Sequence, residues 1–106
     1  MPTHNEVLVL LAIRRRIRDA YGVVIRNEIE EQTGTKLSFG GLYTILSRLE
    51  QDGLVTSREG EATPERGGKA KRYFSITGKG QRILAQTFES FDRMRDSAVA
   101  LQGGVA

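Results

Sequence analysis

The residues from Gly40 to Arg48 combine side chains that can contact nucleic acid with a spacing that places them together. If this stretch is helical, one side carries small, hydroxyl-bearing and aromatic residues with an arginine at its edge: Gly40, Tyr43, Thr44, Ser47 and Arg48. The opposite side is an apolar stripe at i, i+3, i+4 and i+7, formed by Leu42, Ile45, Leu46 and Leu49. The polar side has no acidic residue, whereas an ordinary solvated helix would be richer in Lys and Glu. The pattern therefore predicts a helix that packs on a core by its apolar side and contacts DNA by the other.

Two glycines, Gly40 and Gly41, stand in the first turn of this helix, although each lowers helix stability by about 1 kcal/mol relative to Ala. A helix that enters the major groove leads with its N-terminus, where free N–H groups favour phosphate. Residues without bulk at that end let the backbone approach the duplex closely. Tight packing of the glycines against a neighbouring helix is the alternative explanation. We also expect Lys36 and Ser38, which come just before the helix, to contact DNA.

A polar loop, GEATPERGGKAK, follows this helix and is flanked by two short stretches with the alternation of strands. Four basic residues lie in the loop or directly after it: Arg66, Lys69, Lys71 and Arg72. Between residues 36 and 82 the chain has nine basic and five acidic side chains, so the basic excess lies in this middle part of the chain. The loop is predicted to add sequence-independent, salt-sensitive affinity for DNA phosphates. An ordinary solvated loop is the alternative.

Catalytic and metal-binding chemistry finds few candidate residues. The chain has no cysteine and a single histidine, His4, and it lacks a phosphate-binding glycine loop after a strand. We therefore expect no enzymatic activity, no cofactor and no metal site. No apolar run is long enough to span a membrane, and no secretory signal is recognisable. A cytoplasmic location is expected.

The elements that must position these residues follow from caps, periodicity and breakers. Helices are predicted over residues 3–19, 23–33 and 38–53, since Thr3 and Ser38 are good N-caps and Gly34 can adopt a left-handed C-terminal conformation. Strands are predicted over 54–59 and 72–76. A last helix is predicted over 78–101 after Thr77, and residues 102–106 are expected to fray.

This order of elements indicates the fold class. A helix pair joined by a short turn and followed by a β-hairpin is the layout of a winged helix-turn-helix domain. We therefore predict a mainly α protein with a small β-hairpin (α+β). Residues 1–77 would form the DNA-binding domain, and residues 78–101 a C-terminal dimerisation helix.

Apolar surface on the first and last helices predicts a homodimer. The run Val7 to Ile13 is apolar almost all round, which suggests one side for the subunit and one for a partner. In the last helix apolar residues recur every three or four positions. The predicted dimer contacts are Val7, Leu10, Leu11, Leu84, Phe88, Phe91, Met94, Ala98 and Leu101. Packing within one subunit is the alternative, and Phe88 and Phe91 could instead line a site for a small apolar effector.

Three stretches together resemble one known family. YGVVIRNEIEEQTG, SFGGLYTILSRLEQDGLV and GGKAKRYFSITGKGQRIL are similar to the PadR-like transcriptional regulators in order and spacing. The resemblance implies a bacterial winged-helix DNA-binding protein, in most cases a repressor, that dimerises through its first and C-terminal helices. It also implies that Tyr43 and nearby hydroxyls meet DNA. Thr44 stands where many members have proline, and the C-terminal region is short, which argues against a dedicated effector domain.

These observations together predict a function. The protein is expected to be a sequence-specific transcriptional regulator, a repressor that binds an inverted-repeat operator in double-stranded DNA as a homodimer. A winged-helix module that binds proteins and has no specific DNA binding is the alternative. The residue types leave open whether Arg48 contacts a base or a phosphate.

Overall fold

The computed structural model describes residues 1–62 and 70–105, which form four helices and one antiparallel hairpin. In chain order the elements are α1 (His4–Arg15), α2 (Gly22–Thr33), α3 (Phe39–Gln51), β1 (Val55–Ala62), β2 (Ala70–Ile76) and α4 (Gly78–Val105). The predicted α+β class is confirmed.

Side-chain caps define where the first and third helices begin. At α1 the Glu6 amide donates to Thr3 Oγ1 at 3.1 Å, and the Thr3 amide donates to Glu6 Oε1 at 2.8 Å. At α3 the Gly41 amide donates to Ser38 Oγ at 3.0 Å. Gly34 ends α2 in the left-handed region, with φ of 75°. Each cap satisfies a backbone group that has no partner within its own helix.

The ends of the first and last helices each differ from the prediction by four residues. The first helix ends at Arg15, and residues 16–19 form a turn in which the Arg16 guanidinium donates to the Asp19 carboxylate at 2.7 Å. That hydrogen bond lowers the pKa of Asp19 below its ordinary value. The last helix continues to Val105 in place of the predicted end at residue 101, and the fraying of residues 102–106 stays a prediction. Once a helix has formed, each added residue gains a backbone hydrogen bond, which favours continuation over a tail.

The hairpin is longer than predicted. Its strands pair from Val55 with Ile76 to Glu59 with Arg72, and the register shifts before Ala62 pairs with Ala70. Tyr21 adds a short bridge to Tyr73, and the Phe74 amide donates to the Ala20 carbonyl at 2.8 Å. The segment between α1 and α2 therefore lies along the free edge of β2.

One hydrophobic core joins all the elements. Its buried members are Val9, Leu10, Ala12, Ile13, Ala20, Ile25, Ile29, Leu42, Leu46, Leu49, Leu54, Val55, Phe74 and Leu84. Two predicted dimer contacts, Leu10 and Leu84, are fully buried here and have no surface to offer a partner. Their assignment to a dimer interface is therefore wrong. Val7 and Leu11 are only partly buried and retain accessible surface.

The last helix leaves this core after its third turn. Gly80, Leu84 and Thr87 are its buried residues among those described, and every residue from 91 to 101 is exposed. Phe91 is 60% exposed and Met94 is 73% exposed. In the described part of the chain, no helix has enough length and apolar character to cross a membrane.

Candidate nucleic-acid interface

The two sides of α3 are separated as the sequence predicts. Leu42, Leu46 and Leu49 are buried against the core, and Ile45 is partly buried. The other side is open to solvent and carries Gly40, Tyr43, Thr44, Ser47 and Arg48. We call these five residues the reading face. Ser38 caps the start of α3, and the apolar side of the helix packs on the core. This packing fixes the rotation of the helix, so the reading face points to solvent.

The structure excludes packing against α2 as the reason for the two glycines. A β-carbon on Gly40 would have no atom within 4 Å, and one on Gly41 would meet only Ser38 Oγ, at 3.1 Å. Neither glycine therefore makes room for α2. Thr44 Oγ1 donates to the Gly40 carbonyl at 2.9 Å, which leaves its oxygen lone pairs directed to solvent. The first turn of α3 is open to close approach by a large ligand.

Tyr43 is held by a neighbour that the sequence does not reveal. Its phenol lies against Gly22, and a β-carbon on residue 22 would overlap the hydroxyl oxygen. The side chain is nevertheless 47% exposed. From the sequence alone, Gly22 can be interpreted only as a helix breaker. Its contact with Tyr43 joins two different helices, and no local pattern shows such a contact.

The turn between α2 and α3 is fixed by Arg26. Its Nε donates to the Leu37 carbonyl at 2.7 Å, and its guanidinium carbon lies 4.9 Å from the centroid of the Phe39 ring. These contacts set the direction in which α3 begins. Lys36 in the same turn remains largely exposed, although its Nζ lies 3.7 Å from the Glu30 carboxylate. Ion pairs this exposed contribute little energy, so Lys36 keeps its capacity to bind a phosphate.

Arg72 is engaged within the hairpin. It donates to Ser57 Oγ at 2.9 Å and lies 3.4 Å from the Glu59 carboxylate. Ser57 in turn donates to Glu50 of α3 at 2.7 Å. This chain of hydrogen bonds connects the C-terminal half of α3 to the hairpin. We call the hairpin, formed by β1 and β2, the wing. The sequence predicted Arg72 only as a DNA contact, since the positions that it links are far apart along the chain.

Two further cations of the hairpin lie over aromatic rings. The Arg58 guanidinium carbon is 4.8 Å from the Tyr73 ring centroid, and Lys71 Nζ is 4.4 Å from the Tyr21 ring centroid. The two rings meet edge to face, with centroids 5.6 Å apart. Arg66 and Lys69, which the sequence assigned to DNA contact, lie outside the described residues.

The residues that the structure describes offer no competing metal chemistry. Among them, no group of three or more His, Asp or Glu side chains could hold a metal ion. The reading face and the hairpin cations instead present hydroxyls, amide N–H groups and positive charge. Such groups bind phosphates and the edges of bases.

The fold and the sequence both match known regulators. Residues 9–86 match the Transcriptional regulator PadR-like family. A PadR-like transcription factor from Bacteroides fragilis is similar over 92% of this chain and 88% of its own, with 24% identity and a TM-score of 0.77. A PadR family regulator from Clostridium difficile R20291 is similar over 93% and 98%, with 19% identity and a TM-score of 0.75. One from Eggerthella lenta is similar over 92% and 82%, with 25% identity and a TM-score of 0.72. Among curated protein sequences there is no significant match.

Proposed function

Since this chain belongs to the PadR-like family of transcriptional regulators, a family of DNA-binding proteins, we propose that it is a homodimeric repressor with an inverted-repeat operator. The winged-helix fold of the relatives, with four helices and a hairpin, is the fold of this chain. DNA-binding regulation follows from family membership. Sequence specificity, repression and the dimer are the parts that we propose.

The proposal that the protein binds a specific DNA sequence rests on the first turn of α3. The first turn of α3 has a glycine, Gly40, that no internal contact requires, on a helix face that is exposed and free of acidic residues. Glycine there lowers helix propensity without improving the subunit's own packing. Its advantage appears only when another surface comes close to the backbone, as the major groove does with an inserted helix.

Contacts would divide between the reading face and the wing. Tyr43, Thr44, Ser47 and Arg48 would reach base edges or nearby phosphates, and Lys36 and Ser38 would contact the backbone beside them. Lys71 would add phosphate contacts. We assign Arg72 mainly to positioning, because its guanidinium already bonds to Ser57 and Glu59.

The dimer is proposed from the exposed part of α4. Phe88, Phe91, Met94 and Leu101 are between 39% and 73% exposed on the subunit, and Ala98 lies among them on the same helix. With Val7 and Leu11 they make the apolar surface through which two subunits would associate. One reading face with one wing contacts only a few base pairs. A dimer contacts two half-sites, so its specificity for the operator over other DNA is greater. A small apolar effector at Phe88 and Phe91 stays a prediction.

Selection from a pool of random duplexes at moderate salt tests this function. We expect enrichment of an inverted repeat whose half-sites are about one helical turn, ~34 Å, apart. The same selection with the variant Tyr43→Ala is the control, and it should enrich the repeat weakly or not at all. No enrichment by the unmodified protein would overturn the proposal and favour the alternative of a protein-interaction module.

A further inference from the structure

Four side chains form a continuous row on one face of the hairpin sheet. Arg58 and Tyr73 are cross-strand partners, and Tyr21 bridges to Tyr73 from the other side. Lys71 lies two residues before Tyr73 on the same strand and therefore on the same face. We call Tyr21, Arg58, Lys71 and Tyr73 the outer wing face. In this row each cation lies over a ring, and the two rings meet edge to face.

The outer wing face is opposite to the face that builds the core. Val55 and Phe74, which alternate with Arg58 and Tyr73 along the strands, are buried. Arg58 is exposed, as are its neighbours Thr56 and Ser75. The row therefore lies on the side of the hairpin away from the core, where Arg58 is exposed and Lys71 is half-buried.

The cations of the outer wing face differ from Arg72 in that Arg72 is paired with a carboxylate. Arg72 lies on the core-side face of the hairpin and pairs with the Glu59 carboxylate. Among the described side chains, neither Arg58 nor Lys71 has a carboxylate within ion-pair distance. An aromatic ring holds a cation in place through its quadrupole and leaves the outward N–H donors unused. The row thus presents two positive groups, each held over a ring, and no described carboxylate pairs with either of them.

The outer wing face is continuous with the reading face of α3. Tyr21, which holds Lys71, is followed directly by Gly22, and the Tyr43 phenol lies against Gly22. A duplex that receives Tyr43 in its groove would therefore extend its backbone toward Tyr21 and the cations beside it. Backbone phosphates are the chemical group that two ordered cations at this place would bind.

We propose that Arg58 and Lys71 bind backbone phosphates next to the segment that α3 reads, and that Tyr73 and Tyr21 are positioning residues for these cations. This inference rests on the proposed function, since it names further contacts for the same ligand. It adds Arg58 to the DNA-binding residues and gives the two tyrosines a role. Holding each cation over a ring before binding reduces the entropy lost when it meets a phosphate.

The variant Arg58→Gln tests the contact. Polarisation titrations would use the selected operator and an unrelated duplex between 50 and 200 mM salt. We expect the slope of log K against log salt to become shallower by about 0.9 for one lost phosphate contact. Both duplexes should lose affinity equally, and the loss at 50 mM should be about threefold larger than at 200 mM. The control is Arg82→Gln, which removes the same charge from exposed surface on α4 and should leave the slope unchanged.

A double-mutant cycle tests the role of Tyr73. The penalty of Arg58→Gln should be kept in a Tyr73→Phe background, which retains the ring, and should shrink in a Tyr73→Leu background. Circular dichroism melting would verify that each variant is folded. If Tyr73→Leu did not fold, the Arg58→Gln titration alone would decide the phosphate contact.

The outcomes separate this inference from the proposed function. If the unmodified protein bound no duplex DNA, the proposed function would fail and the inference with it. If the unmodified protein bound its operator while Arg58→Gln kept the same affinity and salt slope, only the outer wing face would be refuted. Equal Arg58→Gln penalties with Tyr, Phe and Leu at position 73 would refute the positioning role.

Discussion

The phenol of Tyr43 lies against Gly22, so that the first residue of α2 and the reading face of α3 are in direct contact. A β-carbon at position 22 would overlap the hydroxyl oxygen, which means that the absence of a side chain there sets where the ring lies. The two helices of the helix-turn-helix thus meet at this side chain. The orientation of Tyr43, which we propose contacts DNA, depends on the residue at position 22 of α2.

This contact makes Gly22→Ala a test of the position of Tyr43. The free energy of unfolding should change by less than about 1 kcal/mol, because alanine improves helix propensity while the phenol moves away. Affinity for the operator should fall, because the ring is displaced. In a Tyr43→Ala background the same substitution should have almost no effect on binding. Isothermal titration of the four proteins would measure the coupling, and additive losses would show that Gly22 acts independently of Tyr43.

The variant Gly40→Ala should raise stability and lower DNA affinity at once. No atom lies within 4 Å of the added methyl group, so the gain in helix propensity of about 0.5–1 kcal/mol should appear in thermal or urea unfolding. On a helix that approaches the duplex closely, the same methyl group would meet DNA. Polarisation titration with the operator measures the cost. A more stable variant with unchanged operator affinity would show that the backbone of α3 does not come close to DNA.

The variant Ser57→Ala should loosen the wing. It removes the oxygen that receives a hydrogen bond from Arg72 and donates one to Glu50. These groups are exposed and can bond to water, so stability should fall by less than about 1 kcal/mol. Affinity should fall for operator and unrelated duplexes alike. Ser75→Ala, on an exposed serine of β2, is the matched control, and equal binding by the two variants would contradict a role for the link.

The double variant Phe91→Glu with Met94→Lys should separate the subunits. Both side chains are exposed on the subunit, so their replacement should leave the fold intact, and it would place two charged groups in the proposed dimer interface, where their desolvation opposes association. Operator binding should be lost, while weak, salt-sensitive attraction to any DNA remains. Sedimentation would report the mass. Glu89→Lys with Arg93→Glu, a charge exchange on the opposite side of α4, is the control. A Phe91/Met94 variant that stays dimeric would exclude this part of α4 from the interface.

Local sequence was sufficient where a pattern and a cap specify the same element. The leucines at 42, 46 and 49 and the cap at Ser38 predicted the extent of α3 and which of its sides is buried. Along α1 the pattern was ambiguous, since the run from Val7 to Ile13 is apolar on every side. Burial of Leu10 and only partial burial of Leu11 follow from the position of the other helices, which periodicity does not contain.

Contacts between distant residues could not be predicted in this way. Ser57 and Arg72 are fifteen positions apart and meet through the hairpin register, which is irregular beyond Glu59. Tyr21 reaches Tyr73 only because the segment between α1 and α2 lies along β2. The sequence showed basic residues but not which of them a carboxylate neutralises. That distinction separates Arg72 from Arg58 and Lys71.

We propose that the α3 reading face supplies sequence discrimination while the wing supplies general affinity. The most direct measurement is the ratio of operator affinity to unrelated-duplex affinity for Tyr43→Ala and for Lys71→Ala at one salt concentration. Tyr43→Ala should lower this ratio by about 1–3 kcal/mol. Lys71→Ala should weaken both affinities, keep the ratio, and make the salt slope shallower by about one. If Lys71→Ala instead abolished discrimination while Tyr43→Ala preserved it, the roles assigned to helix and wing would be reversed and the account would be contradicted.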